Sequence, residues 1–210
     1  MLSIEEYKRD PCKSLSLPYW KAQNISIPSN MKIVHDAAWE PAMLNHYTEE
    51  RFFRIIHCLK NIPAYSVPGV RLETLSPART EELADMINRS YTHSNIHISA
   101  EQLQSMTQTP VYCPALWIGA FFGEMLAGSI LCDYDAHTGE AVIEWLQVLP
   151  AYRGKGIAAA LICEALKRMR GMAEFATVSG ACANPTNPEK VYRKCGFEGD
   201  NIWHILTERP

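Results

Sequence analysis

The sequence predicts an α/β (α+β) fold, a mostly antiparallel central sheet flanked by helices, and three observations carry that prediction. The apolar run Ala141 to Val148, rich in β-branched and aromatic residues, reads as a buried strand. A glycine-rich loop follows it and opens a helix over residues 157–170. There Ile157, Ala158, Leu161, Ile162, Ala165, Leu166 and Met169 share one face, Glu164, Lys167, Arg168 and Arg170 the other, and Gly171 stops it. Finally, Leu116–Phe122 and Met125–Tyr134 are apolar runs joined by Gly123-Glu124, the pattern of a two-residue hairpin.

Taken in order, residues 1–69 read as an N-terminal extension, mostly helical or irregular, that packs on the core. Ile4 to Asp10 predicts a short helix ended by Pro11, and Leu17-Pro18-Tyr19-Trp20 and Ile25-Ser26-Ile27-Pro28 are too broken by proline for central strands. Met31–His35 suits a short edge strand. Phe52, Ile55, Ile56 and Leu59 recur at helical spacing, so Thr48 to Lys60 is expected to be a helix with Thr48 as its N-cap. His35, His46 and His57 match no usual metal-ligand spacing, and no metal is expected. The core, residues 70–210, opens with a strand at Val70–Leu75. Ser76-Pro77 then starts a helix marked by Leu83, Met86, Ile87 and Tyr91. Ser99–Met106 suits a second helix, with His93 and His97 in the loop before it. After the hairpin, Asp135–Gly139 turns the chain into the strand at 141–148. Thr177–Ala183 and Ile202–Leu206 complete the strands.

The loop Arg153-Gly154-Lys155-Gly156 stands at the start of a helix, where glycines let backbone N–H groups approach a ligand and the helix end carries positive partial charge. That makes an anion site, best suited to phosphate. No Walker string occurs. Gly154-Lys155-Gly156-Ile157-Ala158-Ala159 fits the relaxed dinucleotide fingerprint, which would make the chain an oxidoreductase. That fingerprint begins at a strand end and needs an acid closing the next strand. Here Leu149 to Arg153 intervene, and Glu174 precedes the strand instead.

The longer string Val148-Leu-Pro150-Ala-Tyr-Arg153-Gly154-Lys-Gly156-Ile-Ala158 resembles the acetyl-CoA loop of the GCN5-related N-acetyltransferases (GNAT), whose core is Gln/Arg-x-x-Gly-x-Gly/Ala. A second motif follows in the right order. Val191, Tyr192, Gly196 and Phe197 match the family's late Leu-Tyr-x-x-x-Gly-Phe, whereas Asn184 lies eight residues before Tyr192 where the family pattern has seven. The resemblance covers roughly residues 70 to 206. It implies the GNAT fold with its mixed sheet and transfer of an acetyl group from the cosubstrate acetyl-CoA to a primary amine within a ternary complex. A non-catalytic acyl-CoA-binding or sensor protein on the same fold is the alternative.

The resemblance also implies roles. Arg153, Gly154, Lys155, Gly156, Ile157 and Ala158 would hold the pyrophosphate, and the backbone around Leu146 and Val148 the pantetheine. Val148 N–H would face the oxyanion, Asn184 would touch the cofactor, and Tyr192 would protonate the leaving thiolate. Tyr192 read alone is equally a packing residue on the last helix. Glu144 lies inside an otherwise apolar strand, and a carboxylate there is costly unless paired, exposed or used. It is the candidate base, with substrate orientation as its other reading. Cys182 and Cys195 read as small apolar residues rather than as acyl-carrying nucleophiles.

A formal charge of −3 argues against a nucleic-acid partner. Its distribution says more. Residues 90–152 hold six carboxylates (Glu101, Glu124, Asp133, Asp135, Glu140, Glu144) and no Lys or Arg, which points to a small cationic amine as acceptor. Seven scattered cysteines without Cys-x-x-Cys support neither disulfides nor zinc, no apolar run reaches membrane length, and the N-terminus lacks a secretory layout. A cytoplasmic protein is expected, with a homodimer left open.

Overall fold

The computed structural model describes residues 2–14, 19–22, 24–91 and 96–209. The elements are α1 (Ile4–Arg9), α2 (Tyr19–Ala22), β1 (Met31–His35), β2 (Tyr47–His57), β3 (Val70–Thr74), α3 (Thr80–Ser90) and α4 (Ala100–Met106). They continue as β4 (Tyr112–Phe122), β5 (Met125–Asp135), β6 (Glu140–Val148), α5 (Ile157–Met169), β7 (Phe175–Ala181), α6 (Pro188–Lys194) and β8 (Glu198–Glu208). All eight strands form one sheet in the order β1-β8-β2-β7-β6-β5-β4-β3. The β6–β7 pair is parallel and every other pair antiparallel. The mixed α/β architecture anticipated from the chain is therefore present.

Two layers cover the sheet. On one face α5 buries Ile157, Leu161, Ile162, Ala165, Leu166 and Met169 against Ile118, Ile130, Ile143 and Val178, and α6 adds Tyr192. On the other, α3 and α4 bury Leu83, Met86, Ile87 and Leu103 against Trp117, Phe121 and Leu131. That same second face is closed over β2 and β8 by the N-terminal segment. Ser3 caps α1 in a capping box, the Arg54 Nε–H donates to Pro11 O (3.1 Å), and the Trp203 indole N–H donates to Cys12 O (2.9 Å).

The helix expected over Thr48–Lys60 is instead the strand β2, lodged between β7 and β8, and Thr48 pairs with Thr207 rather than capping anything. Phe53 and Ile55 point into the α5–α6 core while Arg54 points to the other face. A strand covered on both faces shows a near-continuous apolar run, and Phe52, Ile55, Ile56 and Leu59 in such a run also satisfy a helical period. The boundary at residue 69 accordingly does not separate sheet from non-sheet, because β1 and β2 supply two of its strands. Met31–His35 is the edge strand the sequence indicated. Leu17-Pro18 and His93 fall outside the described residues.

Candidate active site

The central strands part where the two sequence motifs meet. β6 and β7 run side by side from Glu140–Phe175 to Ile143–Val178 and no further. Beyond that point β6 continues through Leu146 to Val148 against β5 alone, and β7 continues through Gly180 against β2. Exposure follows the parting. Glu144, Trp145 and Leu146 on one side, and Ser179, Gly180 and Ala181 on the other, are half-buried, whereas the residues just before them on both strands are buried.

Backbone alternation shows which groups face the gap. Leu149 N–H bonds to Ala127 O (2.9 Å), so in the antiparallel β5–β6 ladder the N–H and C=O groups of Val148 and Leu146 point away from β5, towards the missing length of β7. Val148 O is taken by the Arg153 Nε–H (3.0 Å). Val148 N–H and both groups of Leu146 line the opening.

The glycine loop stands at one end of the gap. Gly154 (φ +75°) and Gly156 (φ +85°, the N-cap of α5) are both left-handed, a conformation L side chains rarely adopt, and a Cβ on Gly156 would meet only Val67, at 3.6 Å. Gly154 and Gly156 are exposed, and their N–H groups, with those of Ile157 and Ala158 in the first turn of α5, carry the positive partial charge of the helix start. The Arg153 side chain turns inward: besides Val148 O, it donates from Nη2 to Ser90 O (2.5 Å), tying the loop to the end of α3. Arg153 thus offers the loop its backbone, while Lys155 reaches over the Tyr152 ring with Nζ 5.0 Å from the centroid.

Tyr192 flanks the gap from α6. Its ring packs on Phe53 (6.3 Å between centroids), which faces Gly180 of β7, and on Phe197 (5.6 Å). Burial drives its phenol well above the ordinary value, with further pushes from Tyr91, Cys132 and Cys195, so it keeps its proton at neutral pH. Asn184 is engaged locally: its Oδ1 accepts from the Thr186 N–H (3.0 Å) and hydroxyl (2.8 Å), closing the turn that leads to α6. Cys195 is buried at the end of α6, and Cys182 is exposed just past β7.

Glu144 occupies a special place in its strand. Leu131 pairs with Trp145 and Cys132 with Ile143, so Glu144 is the extra residue of a β-bulge. The bulge lets Ile143 and Leu146 both face α5, puts Trp145 towards α3, and frees the Glu144 side chain from the alternation. Its Oε1 lies 2.9 Å from Lys21 Nζ, which is also 2.9 Å from Asp133 Oδ2 on the neighbouring strand. Burial raises the Asp133 carboxyl to about 6, Glu144 adds to the rise, and Lys21 partly opposes it. Burial also favours loss of the Lys21 proton, but the two carboxylates outweigh it and hold the ammonium above its usual range.

Sequence reasoning named neither Asp133 nor Lys21 as site residues. Asp133 carried the same signal as Glu144, a carboxylate inside the apolar run Met125–Tyr134. Lys21 carried none. Of the histidines considered as ligands, His57 is buried and its Nδ1 accepts from the Leu59 N–H (2.8 Å), and His35 Nε2 meets Asn201 Oδ1 (2.9 Å). Among the described residues no group of three metal-binding side chains converges, and no helix is long and apolar enough to cross a membrane.

Residues 116–199 match the sequence model of the family described as "Acetyltransferase (GNAT) domain". No curated protein matches the chain. Among solved structures, a GCN5-related N-acetyltransferase from Sphaerobacter thermophilus is 21% identical, with a TM-score of 0.68 over 91% of this chain. The chain spans 64% of that protein's length. A GNAT-family acetyltransferase from Colwellia psychrerythraea gives 14% identity and a TM-score of 0.63, covering 90% of this chain and 70% of that one. The PaiA N-acetyltransferase from Thermoplasma acidophilum, solved in complex with coenzyme A, gives 22% identity and a TM-score of 0.52, covering 67% of this chain and 99% of that one.

Proposed function

We propose that the chain, whose residues 116–199 match a GNAT acetyltransferase domain, is an acetyl-CoA-dependent N-acetyltransferase acting on a cationic primary amine. The observation that carries the reading is the β6–β7 parting, which leaves free backbone groups at Leu146 and Val148 between a helix-start anion loop and a buried phenol.

Each part suits one need of the reaction. The N–H groups from Arg153 to Ala158 would take the pyrophosphate, with Lys155 as a further positive charge beside it. An extended pantetheine would pair with Leu146 as β7 would have, had it continued. Val148 N–H would then face the thioester oxygen, where negative charge grows during attack. As the amine nitrogen bonds to the carbonyl carbon and the C–S bond breaks, Tyr192 gives its proton to the departing sulfur. The ammonium must lose a proton before it attacks, and Glu144, at the bulge beside the gap, would receive it directly or through water. Asn184 would steady the turn ahead of α6. The reading places the chain in a reducing, cytoplasmic setting, where its seven cysteines, all unpaired, persist as thiols.

Calorimetry with CoA, acetyl-CoA and NAD on the parent and Gly156→Glu tests the cofactor, and thiol release with a panel of cationic, neutral and anionic amines tests the chemistry. Binding of CoA but not NAD, abolished in Gly156→Glu because a strained side chain and a like charge fill the loop, is the expected result. Equal affinities for the two proteins would overturn the site. CoA binding without turnover of any amine would leave a CoA-binding protein in place of the enzyme. In the active protein Tyr192→Phe should slow turnover by about 10²–10⁴-fold while retaining acetyl-CoA affinity.

A further inference from the structure

The carboxylate pair at the gap already holds a primary ammonium, and it comes from the chain itself. Lys21 reaches from α2 and places Nζ 2.9 Å from Asp133 on β5 and 2.9 Å from Glu144 on β6. Asp133 is 4% exposed, and Lys21 is its side-chain partner among the described residues. Two carboxylates this close repel unless a cation lies between them. The Glu144 bulge is what turns its carboxylate towards Asp133, across a ladder in which Asp133 faces Val142. The slot is open on one side, since the Lys21 and Glu144 side chains retain 21% and 19% of their exposure.

We propose that Asp133 and Glu144 form a binding site for an alkylammonium group, that Lys21 fills it in the resting protein, and that the acceptor's ammonium takes the place of Lys21 before acetyl transfer. Three features support the exchange. An ammonium is a compact point charge on a flexible stem, so Lys21 can leave by rotating its side chain without moving the strands. The incoming group makes the same two charge-assisted bonds that the outgoing one gives up, so the exchange costs little in electrostatics. Glu144, the candidate proton acceptor, meets the acceptor's nitrogen only once Lys21 has left, which keeps the base paired until an amine is present. A carboxylate-bearing or neutral acceptor has nothing to offer the buried Asp133 and is excluded. The acetyl-transfer step rests on the function proposed above; the ammonium site does not.

The test omits CoA, so it stands apart from that function. Lys21→Ala removes three methylenes and the ammonium, and n-propylammonium is the missing piece. Thermal melting of Lys21→Ala is followed over a titration of n-propylammonium chloride, with sodium chloride holding ionic strength constant and n-propanol as the uncharged control. A saturable Tm rise of about 3–5 °C at ten times the Kd is expected. It should be absent with n-propanol and in Lys21→Ala combined with Asp133→Asn and Glu144→Gln, and in the parent it should need higher concentrations, because Lys21 competes for the slot. No saturable rise, or an equal rise in the combined variant, would overturn the proposal. If Lys21→Ala is unfolded at 25 °C, refolding by n-propylammonium but not by sodium chloride supports the site, and failure to refold at any concentration counts against it. Rescue without any later amine acetylation would retain the site and reject the enzyme.

Discussion

Two ion-paired clusters bind the N-terminal segment to the same face of the sheet, and they are built for opposite purposes. In the first, Arg54 and Glu140 are wholly buried and 2.9 Å apart, with Tyr7 and Thr177 completing the shell. Tyr7 OH and Thr177 OH both donate to Glu140, Arg54 Nη2 also reaches Tyr7 (3.0 Å), and its remaining donors go to Pro11 O and Ser179. Burial lifts the Glu140 carboxyl, and Arg54 and the hydroxyl donors draw it only part of the way back. In the second cluster a flexible ammonium replaces the planar guanidinium, and water reaches one side. A guanidinium bonded to Glu140, Tyr7, Pro11 and Ser179 together cannot leave without breaking all four contacts and stranding a buried carboxylate, whereas an ammonium shared by two carboxylates can be exchanged for another. The first cluster fixes where the segment lies; the second sits at the gap where a ligand would enter.

That contrast can be broken most severely at Arg54. Arg54→Met leaves Glu140 buried and unpaired and should cost about 3–5 kcal/mol in urea unfolding. A loss below about 1 kcal/mol would mean that the sealed cluster is no more committed than the open one.

The open cluster should show itself through pH. Asp133 is raised from an ordinary 3.8 to about 6, so its contribution to stability is fully present below pH 3.8 and is lost as pH rises through about 6. Asp133→Asn removes that loss. Its stability relative to the parent should therefore climb between pH 4 and 7, by roughly 3 kcal/mol in all, at about 1.4 kcal/mol for each pH unit between the two values. A difference that is flat across this window, measured by urea midpoints, would remove Asp133 from the account.

Tyr7→Phe sharpens the sealed side. It deletes one hydroxyl that both donates to Glu140 and accepts from Arg54, and should cost about 1–3 kcal/mol, read in the same unfolding assay. Glu144→Gln is expected to have the smallest effect on stability, within about 1 kcal/mol, because Lys21 retains Asp133 and water reaches the slot. The same variant should nevertheless impair amine acetylation if Glu144 takes the proton. Unchanged turnover across pH would restrict it to holding the ammonium.

What the sequence determined by itself was everything local. The hairpin at Gly123-Glu124, the strand Glu140–Val148, the glycine loop and the helix Ile157–Met169 were legible because period, turn chemistry and helix start are written within a few residues of one another. The positions of Gly154 and Gly156 at the head of α5 followed from the same short-range signals, and that of Tyr192 on α6 from the family motif in which it stands. Tertiary structure decided the rest. β2 is a strand because β7 and β8 hydrogen-bond it from both sides, a condition its own residues do not state. Arg54, one charge in an apolar run, gave no hint that Glu140 awaited it on another strand. Glu144 is a bulge residue only when counted against Leu131 and Cys132. Lys21 meets Asp133 and Glu144 from more than a hundred residues away. Pairings at that range depend on which faces the packed sheet leaves open, and no window of sequence holds both partners.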